Sequence, residues 1–106
     1  GLMDHIQPVA HMNWQLENKK KIQGDCDDMA TYVGYMLKRM GYKYVYRANI
    51  VKYRHVICVF RDEDIFRYFS NRTYWPGPFN SRYSAVNNWS ERNDHKKTKT
   101  YYCERL

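Results

Sequence analysis

The stretch Gly24-Asp25-Cys26-Asp27-Asp28-Met29-Ala30 holds the side chain best placed to do chemistry. A cysteine attacks as its thiolate, and a thiolate is favoured where free backbone N–H groups and the helix dipole converge, at the start of a helix. Cys26, Ala30, Val33, Leu37 and Met40 recur at the helical period, with Met29 and Met36 widening the stripe. This spacing predicts a buried helix over about residues 25–40, with Cys26 at or near its first position. Gly24 supplies a turn before it and Asp25 an N-cap. Asp27 and Asp28 lie in the first turn, where carboxylates suit the dipole, and Gly41 suits the left-handed C′ position. A buried cysteine is also common as a small hydrophobe. The nucleophile reading therefore rests on helix position and flanking acids, not on residue type alone.

Gly-Asp-Cys-Asp-Asp, followed by Met-Ala and an apolar helix ending in Gly41-Tyr42, resembles the nucleophile segment of the transglutaminase-like cysteine protease superfamily. The bacterial and phage-type domains of that superfamily share a papain-like core. There a Cys opens a helix, a His lies on a following strand, and an Asp or Asn lies on the next. The same order occurs here: Cys26, then His55 in Arg54-His55-Val56-Ile57-Cys58-Val59-Phe60, then Asn71 in Phe69-Ser70-Asn71. The resemblance covers roughly residues 14–75. It implies that Cys26 attacks a peptide or carboxamide carbonyl, that His55 serves as general base and then acid, and that Asn71 fixes the His55 tautomer. Asn71, before Arg72, stands where the family usually has Asp, often before Pro; asparagine orients the histidine of papain-like enzymes. The resemblance also suggests that Gln23 or Trp14 joins the Cys26 backbone N–H in receiving the oxyanion. The acyl-enzyme would pass to water, as in a protease or amidase, or to an amine, as in a transglutaminase. This chemistry needs a peptide or protein substrate and no metal or organic cofactor.

The strands that must position these groups are legible downstream. Residues 44–52 alternate as a strand, and residues 55–60 are apolar on both faces, as in a central strand covered on both sides. On it His55, Ile57 and Val59 share one face, and Val56, Cys58 and Phe60 the other. A Cys–His pair then requires the His55 face to meet the start of the cysteine helix. Arg61-Asp62-Glu63-Asp64 reads as an exposed turn before a returning strand over 65–70. If Asp62-Glu63-Asp64 form a three-residue loop, His55 lies opposite Asn71, with Cβ atoms about 4.5–5.5 Å apart. A loop one residue longer or shorter puts Asn71 on the wrong face. Tyr74-Trp75-Pro76-Gly77-Pro78-Phe79 reads as an irregular aromatic loop that closes the core or walls the cleft, with Trp75 the candidate wall. Ser81 is positioned to cap a short helix to about residue 89 that buries Tyr83, Val86 and Trp89. A polar, basic connection over 93–99 leads to a last strand over 100–103. His5, His11, His95 and Cys103 are read as incidental.

The 106 residues suit a single domain, 1–106, with residues 1–13, interrupted by Pro8, as an extended lead-in. Hydrophobic residues make up 43%, leaning on aromatics at 17% with 11 Tyr, which fits a sheet-containing globular fold. The expected class is α+β: a helix carrying the cysteine packed on a small antiparallel sheet. No run reaches the ~20 apolar residues of a membrane helix, and no basic-then-apolar start resembles a signal peptide, so a cytoplasmic location is expected. Three widely spaced cysteines, with no Cys-x-x-Cys or His-x3-His pair, point to a reducing compartment rather than to disulfides or structural zinc.

The formal charge of +7 admits nucleic acid as a partner. Yet the cations are spread over 19–21, 38–39, 47–54 and 96–99, as on an ordinary solvated surface. Two alternatives to an enzyme follow. One is an inactive member of the same fold that binds a peptide or protein in the old cleft. The other is a basic nucleic-acid-binding domain with tyrosines available for base stacking.

Overall fold

The computed structural model describes residues 26–93 and 100–106. The helical stripe forms α1 (Cys26–Arg39), with Asp27 and Asp28 in the first turn and Lys38 and Arg39 in the last, each matched to the dipole. It stops in a Schellman motif. Gly41 takes φ +100°, its N–H donates to the Lys38 carbonyl at 3.0 Å, and the Tyr42 N–H donates to the Leu37 carbonyl at 3.1 Å. Leu37 and Tyr42 then enter the same apolar cluster.

Five strands follow: β1 (Val45–Ile50), β2 (His55–Asp62), β3 (Ile65–Ser70), β4 (Thr73–Phe79) and β5 (Tyr101–Arg105). They form one antiparallel sheet in the order β4-β3-β2-β1-β5, and α2 (Arg82–Arg92) precedes β5. The fold is α+β, as expected. A 3₁₀ turn, Val51–Tyr53, joins β1 to β2. The first described strand starts one residue later and ends two residues earlier than the alternation predicts, because this turn takes residues 51–53.

The doubly apolar pattern of β2 has its predicted consequence. Val56, Cys58 and Phe60 pack with Ala30, Val33 and Leu37 of α1, while Ile57 and Val59 pack with Ala85, Val86 and Trp89 of α2. Ser81 caps α2, its Oγ accepting from the Ser84 N–H at 3.0 Å. Val86 and Trp89 are buried as predicted, but Tyr83 is exposed. The α2 face that meets the sheet is filled by Ala85, Val86 and Trp89.

Two expectations need correction. Asp62 does not belong to the turn: it pairs with Ile65 inside the β2–β3 ladder, leaving Glu63-Asp64 as a two-residue loop. The reason is a buried ion pair. Arg67 Nε donates to Asp62 Oδ2 at 3.1 Å, with side chains only 10% and 7% exposed, and Arg67 Nη1 donates to the Pro76 carbonyl at 2.6 Å. The Tyr74–Phe79 segment, predicted to be irregular, is most of strand β4. It tolerates Pro76 and Pro78 because it is an edge strand, and its ladder with β3 breaks between Phe66 and Tyr68, where the extra residues loop out.

Candidate active site

Cys26 is the first residue of α1 and His55 the first residue of β2, so two element starts converge at one end of the sheet. Both residues line one cleft of about 320 Å³, together with Asp27, Asn49, Arg54 and Tyr102. The half-buried Cys26 Sγ–H donates to the Arg54 carbonyl at 3.8 Å. That carbonyl is presented by a backbone turn: Arg54 closes the 3₁₀ segment in the left-handed region, φ 50° and ψ 42°, its N–H donating to the Val51 carbonyl at 3.2 Å. The chain thus bends at the residue immediately before His55.

The His55 ring lies flat on Trp89, with centroids 4.4 Å apart and planes 13° from parallel, and Nε2 lies 2.9 Å from Ser70 Oγ. The ring accordingly sits on the α2 face of the sheet, while Cys26 packs against the α1 cluster. The expectation that the His55 face itself meets the α1 face is not what the fold does. The two groups approach only at the end of β2, where the cleft opens beside the strand's first residue. Burial lowers the His55 pKa from its ordinary value of 6.5, so the imidazole is neutral at neutral pH. Ser70 supplies a hydroxyl rather than a carboxylate, and so offers the imidazolium no full counter-charge.

The expected pairing of His55 with Asn71 fails by one residue of register. With Asp62 in the ladder, Cys58 pairs with Phe69, and Ser70 pairs with Thr73 across a two-residue turn formed by Asn71 and Arg72. Asn71 is exposed there with φ 51°, a conformation asparagine tolerates well. Ser70 takes the contact assigned to Asn71. Trp75 does not line the cleft: it packs against Tyr68 and under the Arg92 guanidinium, 3.9 Å from its ring centroid. Trp14 and Gln23, with the Gly24 and Asp25 that would turn and cap the helix, lie outside the described residues. The residues missed from sequence are Ser70, Arg54, Asn49 and Tyr102. For Ser70 a signal existed, since a two-residue β2–β3 loop, continued along the ladder, turns Asn71 to the other face and sets Ser70 opposite Ile57, on the face His55 shares.

Asp27, beside the thiol, forms an ion pair with Arg47 of β1, whose Nε is buried and without a hydrogen-bond partner. The pair offsets a carboxylate that would otherwise oppose negative charge on Cys26. Arg47→Met is expected to slow alkylation of Cys26 at pH 7 about threefold, a modest effect because Asp27 is half exposed, and to leave the rate above pH 10 unchanged. Peptide-mapped alkylation rates measure both.

The depressed His55 pKa also carries a stability prediction. Protonation is less favourable in the folded than in the unfolded chain, so the contribution of His55 is complete above pH 6.5 and is lost as pH falls below it through the folded-state value. Denaturant unfolding should weaken over that window by no more than about 1.4 kcal/mol per pH unit. His55→Phe, which keeps a ring against Trp89, should remove that share of the pH dependence.

Among the described residues no group of three or more His, Cys, Asp or Glu side chains is arranged to hold a metal ion, and no helix is long and apolar enough to cross a membrane. Compared with known proteins, the chain matches no family model, no curated protein and no solved structure.

Proposed function

We propose that the protein is a thiol enzyme of the transglutaminase-like type, acting on peptide or carboxamide bonds through an acyl-enzyme on Cys26. The observation that carries this reading is the shared cleft: the helix-opening Cys26 and the strand-opening His55 line it together, and Ser70 holds the imidazole by Nε2. With Nε2 occupied, Nδ1 is the nitrogen that takes the thiol proton when substrate draws the sulfur and the imidazole edge together. Sulfur adds to the carbonyl carbon, the oxyanion is met by N–H groups at the start of α1, and the His55 imidazolium returns the proton to the leaving amine. Water or a primary amine then takes the acyl group, regenerating the thiol. A neutral histidine suits general-base attack at neutral pH better than a preformed thiolate–imidazolium pair, and Ser70 in place of a carboxylate favours the same path.

The nucleic-acid reading is not favoured. Arg82 lies over Tyr46, Arg92 over Trp75, and both Arg61 and Arg105 over Tyr44. These aromatic faces and cations already engage one another rather than standing open for bases and phosphates.

Intact-mass spectrometry tests the enzyme reading. The protein is incubated with a library of glutamine-containing and C-terminally amidated peptides, with and without hydroxylamine. Acyl adducts that map to Cys26, vanish on hydroxylamine treatment and never form on Cys26→Ala are expected. No adduct across the library, with the protein folded, would leave the peptide-binding reading.

A further inference from the structure

Resting on the thiol-enzyme reading, we propose that the cleft selects acyl donors carrying an apolar, planar side chain beside the scissile carbonyl, seated against Val51 and Tyr102. Among the described residues four large hydrophobic side chains are exposed: Tyr35, Val51, Tyr83 and Tyr102. Two of the four, Val51 at 50% and Tyr102 at 54% exposure, line the cleft that also holds Cys26 and His55. Single exposed apolar residues are ordinary on a protein surface, but two converging on a candidate nucleophile are not.

They come from different elements held together by the backbone. The Val51 N–H donates to the Thr100 carbonyl at 3.3 Å, tying the 3₁₀ turn to the start of β5, and Tyr102 pairs with Asn49 across the β1–β5 ladder. Asn49 is itself fixed, its Nδ2 donating to Glu104 Oε1 at 2.9 Å. The apolar wall is therefore built on paired strands and a hydrogen-bonded turn. Polar residues line it as well: Arg54, and Asp27, whose charge Arg47 already meets. A few polar groups around an apolar surface is the usual composition of a ligand site, and about 320 Å³ lies at the small end of the ~300–1,000 Å³ range of such sites. The space suits one side chain and its flanking backbone. Tyrosine offers a flat face to a planar side chain, and Val51 a compact apolar floor.

Alkylation of Cys26 in the full chain by three N-acetyl amino-acid chloromethyl ketones, those of Phe, Ala and Asp, reads this wall directly. Rates at Cys26 are taken by peptide mapping and divided by the iodoacetamide rate at the same residue. That division removes thiol activation, so the ratio reports the wall whether or not Cys26 proves to be activated. An iodoacetamide profile that follows an ordinary thiol would count against the enzyme reading alone. The Phe reagent is expected to exceed the Ala reagent by about tenfold or more, as one seated apolar side chain discriminates. Tyr102→Ala and Val51→Ser, both at exposed positions and both free of new charge, should each cut that preference at least about threefold while leaving the iodoacetamide rate unchanged. Equal Phe and Ala rates, a preference for the Asp reagent drawn by Arg54, or a Phe preference that survives both substitutions would overturn the proposal.

Discussion

His55→Phe is expected to slow acyl-adduct formation on Cys26 by about 10²–10⁴-fold, the range that a positioned proton acceptor contributes. Phenylalanine keeps a ring against Trp89, where the imidazole now stacks at 4.4 Å, so the substitution removes the base without opening a hole beneath it. The loss should lie in the chemical step: the thiol proton has no acceptor during attack, and the leaving amine has no donor. Rapid-quench sampling of the adduct by mass spectrometry gives the rate, and unfolding at pH 8 checks that the variant is folded. A rate within about threefold of the wild type would remove His55 from the chemistry. Ser70 acts through His55, so Ser70→Ala should have a smaller effect.

The largest effect on stability is expected at the opposite end of β2. Asp62→Ala leaves the Arg67 guanidinium buried with the Pro76 carbonyl but without its carboxylate. Removing one partner of a buried ion pair costs about 3–5 kcal/mol, because the remaining charge stays desolvated and uncompensated. For a chain of this size that loss corresponds to a fall of more than about 10 °C in Tm. The ion pair also holds Asp62 in the ladder, and with it the register that sets Ser70 against His55. The double substitution Asp62→Leu/Arg67→Met should recover most of the stability, since an apolar pair of similar volume incurs no desolvation cost. Thermal melts of the single and double variants measure both effects. A loss below about 1 kcal/mol for Asp62→Ala would mean that water, not Asp62, compensates Arg67.

The helix and the central strand were readable because each depends on periodicity alone. Cys26, Ala30, Val33 and Leu37 fall on one side of any helix drawn through them, and residues 56–60 are apolar on both faces. The register was not readable in the same way. Arg61-Asp62-Glu63-Asp64 has the composition of a solvated turn, and only the contact of Asp62 with Arg67, five residues on and across the hairpin, draws Asp62 into the strand. That single residue moves the whole pairing by one, which turns Asn71 away from the His55 face and brings Ser70 onto it, diagonal to His55. Trp75 was misplaced for a related reason. Proline excludes a central strand but not an edge, and edge position is a property of the assembled sheet. Trp89 was read as buried, and it is. Its stack under His55 depends on α2 covering the face opposite α1, which no local pattern encodes.

Two internal standards sharpen a test of the Cys26–His55 pair. Cys58 is wholly buried, Cys103 is half-buried, and burial pushes both thiols above their ordinary range. The decisive measurement is the pH dependence of iodoacetamide alkylation, resolved by peptide mapping into Cys26, Cys58 and Cys103, in the wild type and in His55→Phe. If His55 takes the thiol proton, Cys26 reacts at pH 6.5 at least about tenfold faster than an ordinary thiol of pKa near 8.5. Its rate then falls only as His55 becomes protonated at lower pH, and His55→Phe abolishes the advantage. A Cys26 whose rate follows an ordinary thiol, with the same profile in His55→Phe, would contradict the account.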